Sequence, residues 1–163
     1  MTIRDATEID LPAIVAIYNA TIAGRVATAD TEPVTVASRR AWFHEHNPNA
    51  RPLWVALEND VIAGWLSFQS FYGRPAYHAT AEVSIYVAQD WRRRGMGNAR
   101  LAKAVEQAPR LGLKTLLGFI FTHNHASLRL FEKFGFQRWG LLPCVAELDE
   151  VEKDLFILGR RID

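Results

Sequence analysis

The chain has 163 residues, 49% of them hydrophobic, with 19 Lys and Arg set against 18 Asp and Glu. That length suits one domain, spanning 1–163, with enough apolar content for a full core. A net charge of +1 argues against bulk attraction to nucleic acid or an anionic membrane, and a sole cysteine, Cys144, excludes an internal disulfide.

Met1-Thr2-Ile3-Arg4-Asp5 carries an acid and no apolar core segment, so no signal peptide is expected there. Thr2–Ala6 suits a first strand. Asp10 is placed as an N-cap ahead of Pro12, and Leu11, Ile14, Val15 and Tyr18 form a helical apolar stripe. Thr21–Val34, rich in Thr, Ala, Gly and Asp without a period, reads as loop. Thr35–His46 reads as helix, and Leu53–Leu57 with Val61–Phe68 as a hairpin around Glu58-Asn59-Asp60. Gly73 and Pro75 break the pattern before a strand over Ala81–Val87, whose alternation puts Glu82, Ser84 and Tyr86 opposite Val83, Ile85 and Val87. A helix follows with Leu101, Ala104, Val105 and Ala108 on one face, ended or kinked by Pro109. Then come a strand over Thr115–Ile120, a helix from Asn124 to the Gly135-Phe136 stop, and strands over Trp139–Glu147 and Val151–Gly159. Cys144 is expected as a small half-buried residue in the first of these last two strands. The longest apolar run, Leu116–Phe121, is too short to span a membrane, and a cytoplasmic protein is expected.

The junction at Arg92-Arg93-Arg94-Gly95-Met96-Gly97-Asn98 is suited to a pyrophosphate. Glycines let the backbone approach phosphate oxygens, and a helix N-terminus presents free N–H groups and a positive dipole end. A dinucleotide fingerprint needs a third glycine where Arg100 stands, and a Walker A loop needs a Gly-Lys-Ser/Thr ending that Gly-Asn-Ala does not supply. Within the preceding strand, Glu82 is a carboxylate where burial costs several kcal/mol unless it is paired or used. Partial burial would raise its pKa and suit it to proton abstraction.

Arg92, Gly95 and Gly97 fill the fixed places of Arg/Gln-x-x-Gly-x-Gly/Ala, and this segment resembles motif A of the GCN5-related N-acetyltransferases (GNAT). The run from Asn124 through Ser127, Leu128, Phe131, Glu132 and Lys133 to Gly135-Phe136 resembles motif B of the same family. The resemblance implies an α/β (α+β) fold with a central mixed, mostly antiparallel sheet, splayed in the middle after Glu82–Val87, and helices on both faces. It also implies acetyl-CoA as cosubstrate, with its pyrophosphate at Arg92, Arg93, Arg94, Gly95, Met96, Gly97 and Asn98 and a contact at Asn124. Main-chain groups of Ile85, Tyr86 and Val87 would hold the pantetheine and the thioester oxygen.

Within that family the chain is similar to the phosphinothricin/methionine sulfoximine acetyltransferase branch, on Ile17-Tyr18-Asn19, Thr31-Glu32-Pro33, Ala41-Trp42-Phe43, Gly64–Phe68 and Tyr77–Val87. The branch implies Glu82 as general base, a small amino-acid-like amine as acceptor, a substrate loop at Arg74, Pro75, Ala76 and Tyr77, and a homodimer. Phe131 stands where relatives often carry tyrosine or histidine and cannot donate a proton to the leaving thiolate. Ala27–Asp30 and Glu147–Glu152 also depart from the branch pattern around the acceptor pocket, which leaves the amine open. A peptide N-terminal acetyltransferase and a CoA-binding module with weak catalysis stay as alternatives. His44-x-His46 and His123-x-His125 have no clustered Cys or carboxylate beside them, so no metal is expected. The three consecutive arginines are better explained by the phosphates of CoA than by nucleic acid.

Overall fold

In the computed structural model, which describes residues 1–163, the alternating segments close into one seven-stranded sheet. Its strands are β1 (Thr2–Asp5), β2 (Leu53–Glu58), β3 (Val61–Ser70), β4 (Thr80–Val87), β5 (Thr115–Phe121), β6 (Gln137–Leu148) and β7 (Val151–Arg161), in the spatial order β1-β2-β3-β4-β5-β7-β6. Every neighbouring pair is antiparallel except β4–β5, which is parallel and needs a crossover. The crossover is α3 (Met96–Gln107).

Strand alternation sorts the apolar residues onto two faces. Leu53, Val55 and Trp65 turn to one side and meet Ile14, Ile17, Tyr18 and Ile22 of α1 (Leu11–Ile22), with Trp42 and Phe43 of α2 (Val36–His44) alongside. Trp54, Leu66, Phe68 and Val83 turn to the other side and meet Leu101 and Ala104 of α3 and Leu128 and Phe131 of α4 (His125–Lys133). Both faces are therefore covered by helices, as expected.

Helix ends follow local chemistry. Thr35 caps α2, its hydroxyl accepting from the Ser38 N–H at 3.0 Å. The chain leaves α3 through a 3₁₀ turn, Ala108–Leu111, which begins just before Pro109 because a proline ring cannot continue the hydrogen-bond ladder. At the end of α4, Gly135 takes φ +83°, and the Phe136 N–H donates to the Phe131 carbonyl, five residues back. The Phe136 ring then packs edge-on against Phe131, 5.0 Å between centroids.

Three expectations change in the structure. Asp10 does not cap α1; its own φ and ψ are helical, and a 3₁₀ turn over Glu8–Asp10 runs straight into the helix. Its buried carboxylate accepts from the Thr7 N–H at 2.8 Å and from the Arg4 guanidinium at 2.7 and 3.0 Å instead. Cys144 is exposed, not half-buried, because the β6–β7 register slips between Leu142 and Ala146 and puts Cys144 at φ +53°. The β4–β5 pairing stops inside the strand, not after it: only Thr80, Ala81 and Glu82 pair, with Thr115, Leu116 and Leu117. Beyond them β5 stays paired with β7 as far as Phe121 and β4 stays paired with β3 as far as Val87, so the two strands diverge.

The hydrogen bond to Arg4 holds the Asp10 carboxyl below its ordinary pKa, outweighing the opposing effect of burial. A lowered folded-state pKa gives stability that is present above the unfolded value, near 3.9, and is lost as pH falls through the folded value. Asp10→Ala is expected to lower stability by about 1–2 kcal/mol at neutral pH. Urea denaturation at a series of pH values checks this, with the gap to wild type shrinking under acid conditions.

Candidate active site

Where β4 and β5 part, the sheet stops being a wall between its two faces. A cleft of about 730 Å³ lies beside the α3 and α4 N-termini, lined by Ile85, Tyr86 and Val87 of β4, by Trp91–Arg93 and Gly95–Asn98, by Asn124 and by the chain at the end of α1 and just after it. A second cavity of about 420 Å³ lies farther back along β4, lined by Glu45, His46, Arg51, Gln69–Gly73, Glu82 and Phe119. Glu82 and Ile85 are three positions apart on one strand, a separation of about 10 Å.

The larger cleft is built for a polyphosphate. Gly95 sits at φ +74°, a left-handed conformation that costs other residues roughly 1–2 kcal/mol, and it opens directly into α3. Gly97 serves close packing: a Cβ there would stand 2.9 Å from Leu130 of α4. Four cations line the cleft, Arg92, Arg93, Arg129 and Lys133, and no carboxylate does. At a helix N-terminus that sign of charge selects anions. Asn124 caps α4 by accepting from the Ser127 N–H at 3.2 Å, which orients the second helix start on the cleft wall.

Backbone donors complete it. The Ala88 N–H donates to Ala63 and the Phe71 N–H to Thr80, which sets the phase of the β3–β4 ladder. By antiparallel alternation the Tyr86 N–H turns into that ladder, while those of Ile85 and Val87 turn toward the gap left by β5. Of the three main-chain N–H groups that the resemblance singled out, those of Ile85 and Val87 face the gap and that of Tyr86 does not, while all three residues line the cleft.

Of the cofactor residues expected from sequence, Arg92, Arg93, Gly95, Met96, Gly97, Asn98 and Asn124 line the cleft. Arg94 does not; its guanidinium lies over the Trp91 ring, 5.1 Å from the centroid. The sequence reading missed Arg129 and Lys133, although their spacing of four on a helix puts them on one face. It also missed Thr21, Gly24, Val26 and Ala27, which line the cleft from a segment with no periodic signal.

Around the smaller cavity the outcome is mixed. Glu82 lines it, and burial raises its carboxyl pKa above the ordinary range. Arg74, Pro75, Ala76 and Tyr77 do not line it. They form an exposed turn in which Tyr77 packs on Phe71, and the adjoining Phe71, Tyr72 and Gly73 line the cavity in their place. The lining arginine is Arg51, which sequence reasoning did not select. It donates to the Ser70 hydroxyl (3.0 Å), the Ala50 carbonyl (2.9 Å) and the His78 carbonyl (2.7 Å). Burial lowers its pKa, and it makes no ion pair with any carboxylate.

His78 precedes the strand, which begins at Thr80; it is exposed, its Nδ1 contacts the Pro75 carbonyl at 2.9 Å, and it does not line the Glu82 cavity. Phe131 is 4% exposed and packed over Gly118, where a Cβ would meet its ring at 2.7 Å. The histidine pairs are separately engaged: His46 Nδ1 contacts the Trp42 carbonyl and His123 Nε2 the Arg25 carbonyl. No group of three or more His, Cys, Asp or Glu is arranged to hold a metal ion. No helix is long and apolar enough to cross a membrane.

A parted parallel strand pair, a glycine turn into a helix and a cationic cleft together define an acyl-CoA-dependent transferase. The chain belongs to the Acetyltransferase (GNAT) family, whose model matches residues 14–136. It is an N-acetyltransferase with acetyl-CoA as cosubstrate.

Among its relatives is the "Putative phosphinothricin acetyltransferase YwnH" of Bacillus subtilis (strain 168), 55% identical over 99% of both chains. An L-methionine sulfoximine/L-methionine sulfone acetyltransferase of Pseudomonas paraeruginosa is 33% identical over 90% of this chain and 86% of its own. Among solved structures, a GNAT superfamily phosphinothricin acetyltransferase from Sinorhizobium meliloti in complex with AcCoA superposes with a TM-score of 0.93 at 28% identity, covering 99% of this chain and 88% of that one.

Proposed function

We propose that this enzyme acetylates the α-amine of a small amino acid of the phosphinothricin, methionine sulfoximine or methionine sulfone type, by direct transfer with Glu82 as general base. The observation that carries the reading is that Glu82 and Arg51, unpaired with each other, line one cavity beside the gap between β4 and β5. An amine acceptor must lose a proton to attack, and a carboxylate whose pKa is raised by burial accepts it, directly or through water. Arg51 retains N–H groups beyond its three hydrogen bonds and is partly desolvated without an acid, so it suits the carboxylate of the acceptor. The relatives' activities toward amino-acid analogues support the same substrate class.

Bound acetyl-CoA supplies the activated thioester. Arg92, Arg93, Gly95, Met96, Gly97, Asn98 and Asn124 hold its pyrophosphate end, joined by Arg129 and Lys133. Ile85, nearer Glu82, offers its N–H to the thioester oxygen, where developing charge is stabilised by a fixed backbone donor. Val87, nearer the Arg92–Gly97 turn, offers its N–H to the pantetheine. With phenylalanine at 131, the thiolate leaves without a proton from that position. A thiol pKa near 8.5 puts the penalty at roughly 2 kcal/mol around neutral pH.

We also infer a homodimer through β6. This twelve-residue strand is the longer of the two edge strands, β1 being the other, and exposes Trp139, Leu141 and Val145, with Val151 of β7 close by. Exposed apolar edges of this kind are aggregation-prone unless covered, and a second copy is the occupant we assign. Leu141→Glu with Val145→Glu is expected to yield a monomer in sedimentation equilibrium. A wild-type monomer at micromolar concentration would contradict the assignment.

Free-thiol release tests the activity against a panel of amino acids and their sulfone, sulfoximine and phosphinate analogues. Turnover confined to this class supports the reading, and turnover of peptide N-termini alone would overturn it. Glu82→Gln is expected to lower kcat about 10²- to 10⁴-fold. In wild type, kcat/KM rises with pH through an acidic limb above the ordinary glutamate range, and the variant lacks that limb. A raised folded-state pKa contributes stability that is lost as pH rises through it, so Glu82→Gln is at least as stable as wild type at neutral pH. Arg51→Met is expected to raise KM for amino-acid acceptors about 10- to 100-fold while leaving KM for their methyl esters little changed.

A further inference from the structure

Arg100 is fully buried at 0% exposure, on the inner face of α3 behind β3 and β4. It has no acidic partner. Carbonyl oxygens hold its guanidinium instead. Nε donates to Met96 at 2.9 Å, Nη1 donates to Trp65 at 2.9 Å and to Tyr86 at 2.7 Å, and Nη2 is buried without a partner. Burial lowers its pKa to about 10, which leaves it charged at neutral pH.

A methionine or leucine would fill this place without the desolvation penalty of a charge, so the fold carries Arg100 at a cost to stability. Room for the cation exists because residue 64 is glycine; a Cβ there would collide with Nη1. Of the three peptide groups that it bonds, the Tyr86–Val87 amide lies on the β4 edge of the cleft. The Tyr86 carbonyl that accepts from Nη1 belongs to the same amide as the Val87 N–H, and that N–H turns toward the cleft. A charged donor on a carbonyl withdraws electron density from the amide and makes its N–H a stronger donor on the other side.

We propose that Arg100 is a positioning residue that acts through the Tyr86–Val87 peptide, polarising the Val87 N–H that binds the pantetheine of the cosubstrate. The proposal rests on the reading of the β4 edge as the pantetheine-binding strand.

The test compares two ligands by calorimetry: CoA, and adenosine 3′,5′-bisphosphate, which has no pantetheine. Arg100→Met is expected to bind CoA about tenfold more weakly and the bisphosphate unchanged, with Arg100→Lys in between. KM for acetyl-CoA rises in step while kcat at saturation holds. Equal weakening toward both ligands, or unweakened CoA binding, would overturn the proposal. Amide NMR of the wild-type protein gives a reading that needs no variant. On CoA addition the Val87 amide proton is expected to shift downfield by more than that of Tyr86, and an unmoved Val87 would overturn the proposal. Wild-type protein that binds the bisphosphate as tightly as CoA would overturn the β4 reading itself, and the Arg100 proposal with it.

Discussion

Everything at this site depends on the point where β4 and β5 stop pairing. In a fully paired sheet the Glu82 cavity and the cationic cleft would be separated by a continuous hydrogen-bonded wall. Because pairing ends at Glu82 and Leu117, backbone donors of β4 are left without strand partners. Buried N–H groups without partners are costly, so such a gap is a ready receptor for an extended ligand with amide carbonyls. The gap also opens a passage between the Glu82 side of the sheet and the α3 side. The flanking ladders, β3–β4 and β5–β7, continue past the break and keep both lips rigid.

Much of this was legible in the residues. Strand alternation separated Glu82, Ser84 and Tyr86 from Val83, Ile85 and Val87, the apolar stripes of α1 and α3 followed from periodicity, and the covering of both faces came from the family resemblance. Gly95 and Gly135 announced their turns because few other residues tolerate a left-handed backbone. What was not legible lies where tertiary partners decide. Asp10 looks like a cap, yet Arg4, six residues earlier, draws its carboxylate elsewhere. Pro143, with no N–H to give the ladder, marks the slip beside Cys144, but its extent is decided by a partner strand that begins only at Val151.

The Glu82 cavity shows the same limit more sharply. Arg74 was the natural arginine to choose, being in the loop ahead of Glu82, but the loop turns outward and presents Phe71–Gly73 to the cavity. Arg51 comes from the chain ahead of β2 and reaches the cavity because the Ser70 hydroxyl and the His78 carbonyl hold it there. Only the sheet order brings those residues together. Arg100 is a different case. Its sequence position marked it as the residue that rules out a dinucleotide fingerprint, and the fold turns it into a buried cation bonded to the carbonyl just before the amide of Val87 on the cleft wall.

A crystal structure with acetyl-CoA and methionine sulfone bound tests the central claim most directly. The account predicts the thioester in the gap between β4 and β5, with the N–H groups of Ile85 and Val87 donating to the cosubstrate. It also predicts the acceptor amine on the Glu82 side of the sheet and its carboxylate on Arg51. A gap that stays empty, or an acceptor bound on the same side as the cosubstrate and away from Glu82, would contradict it.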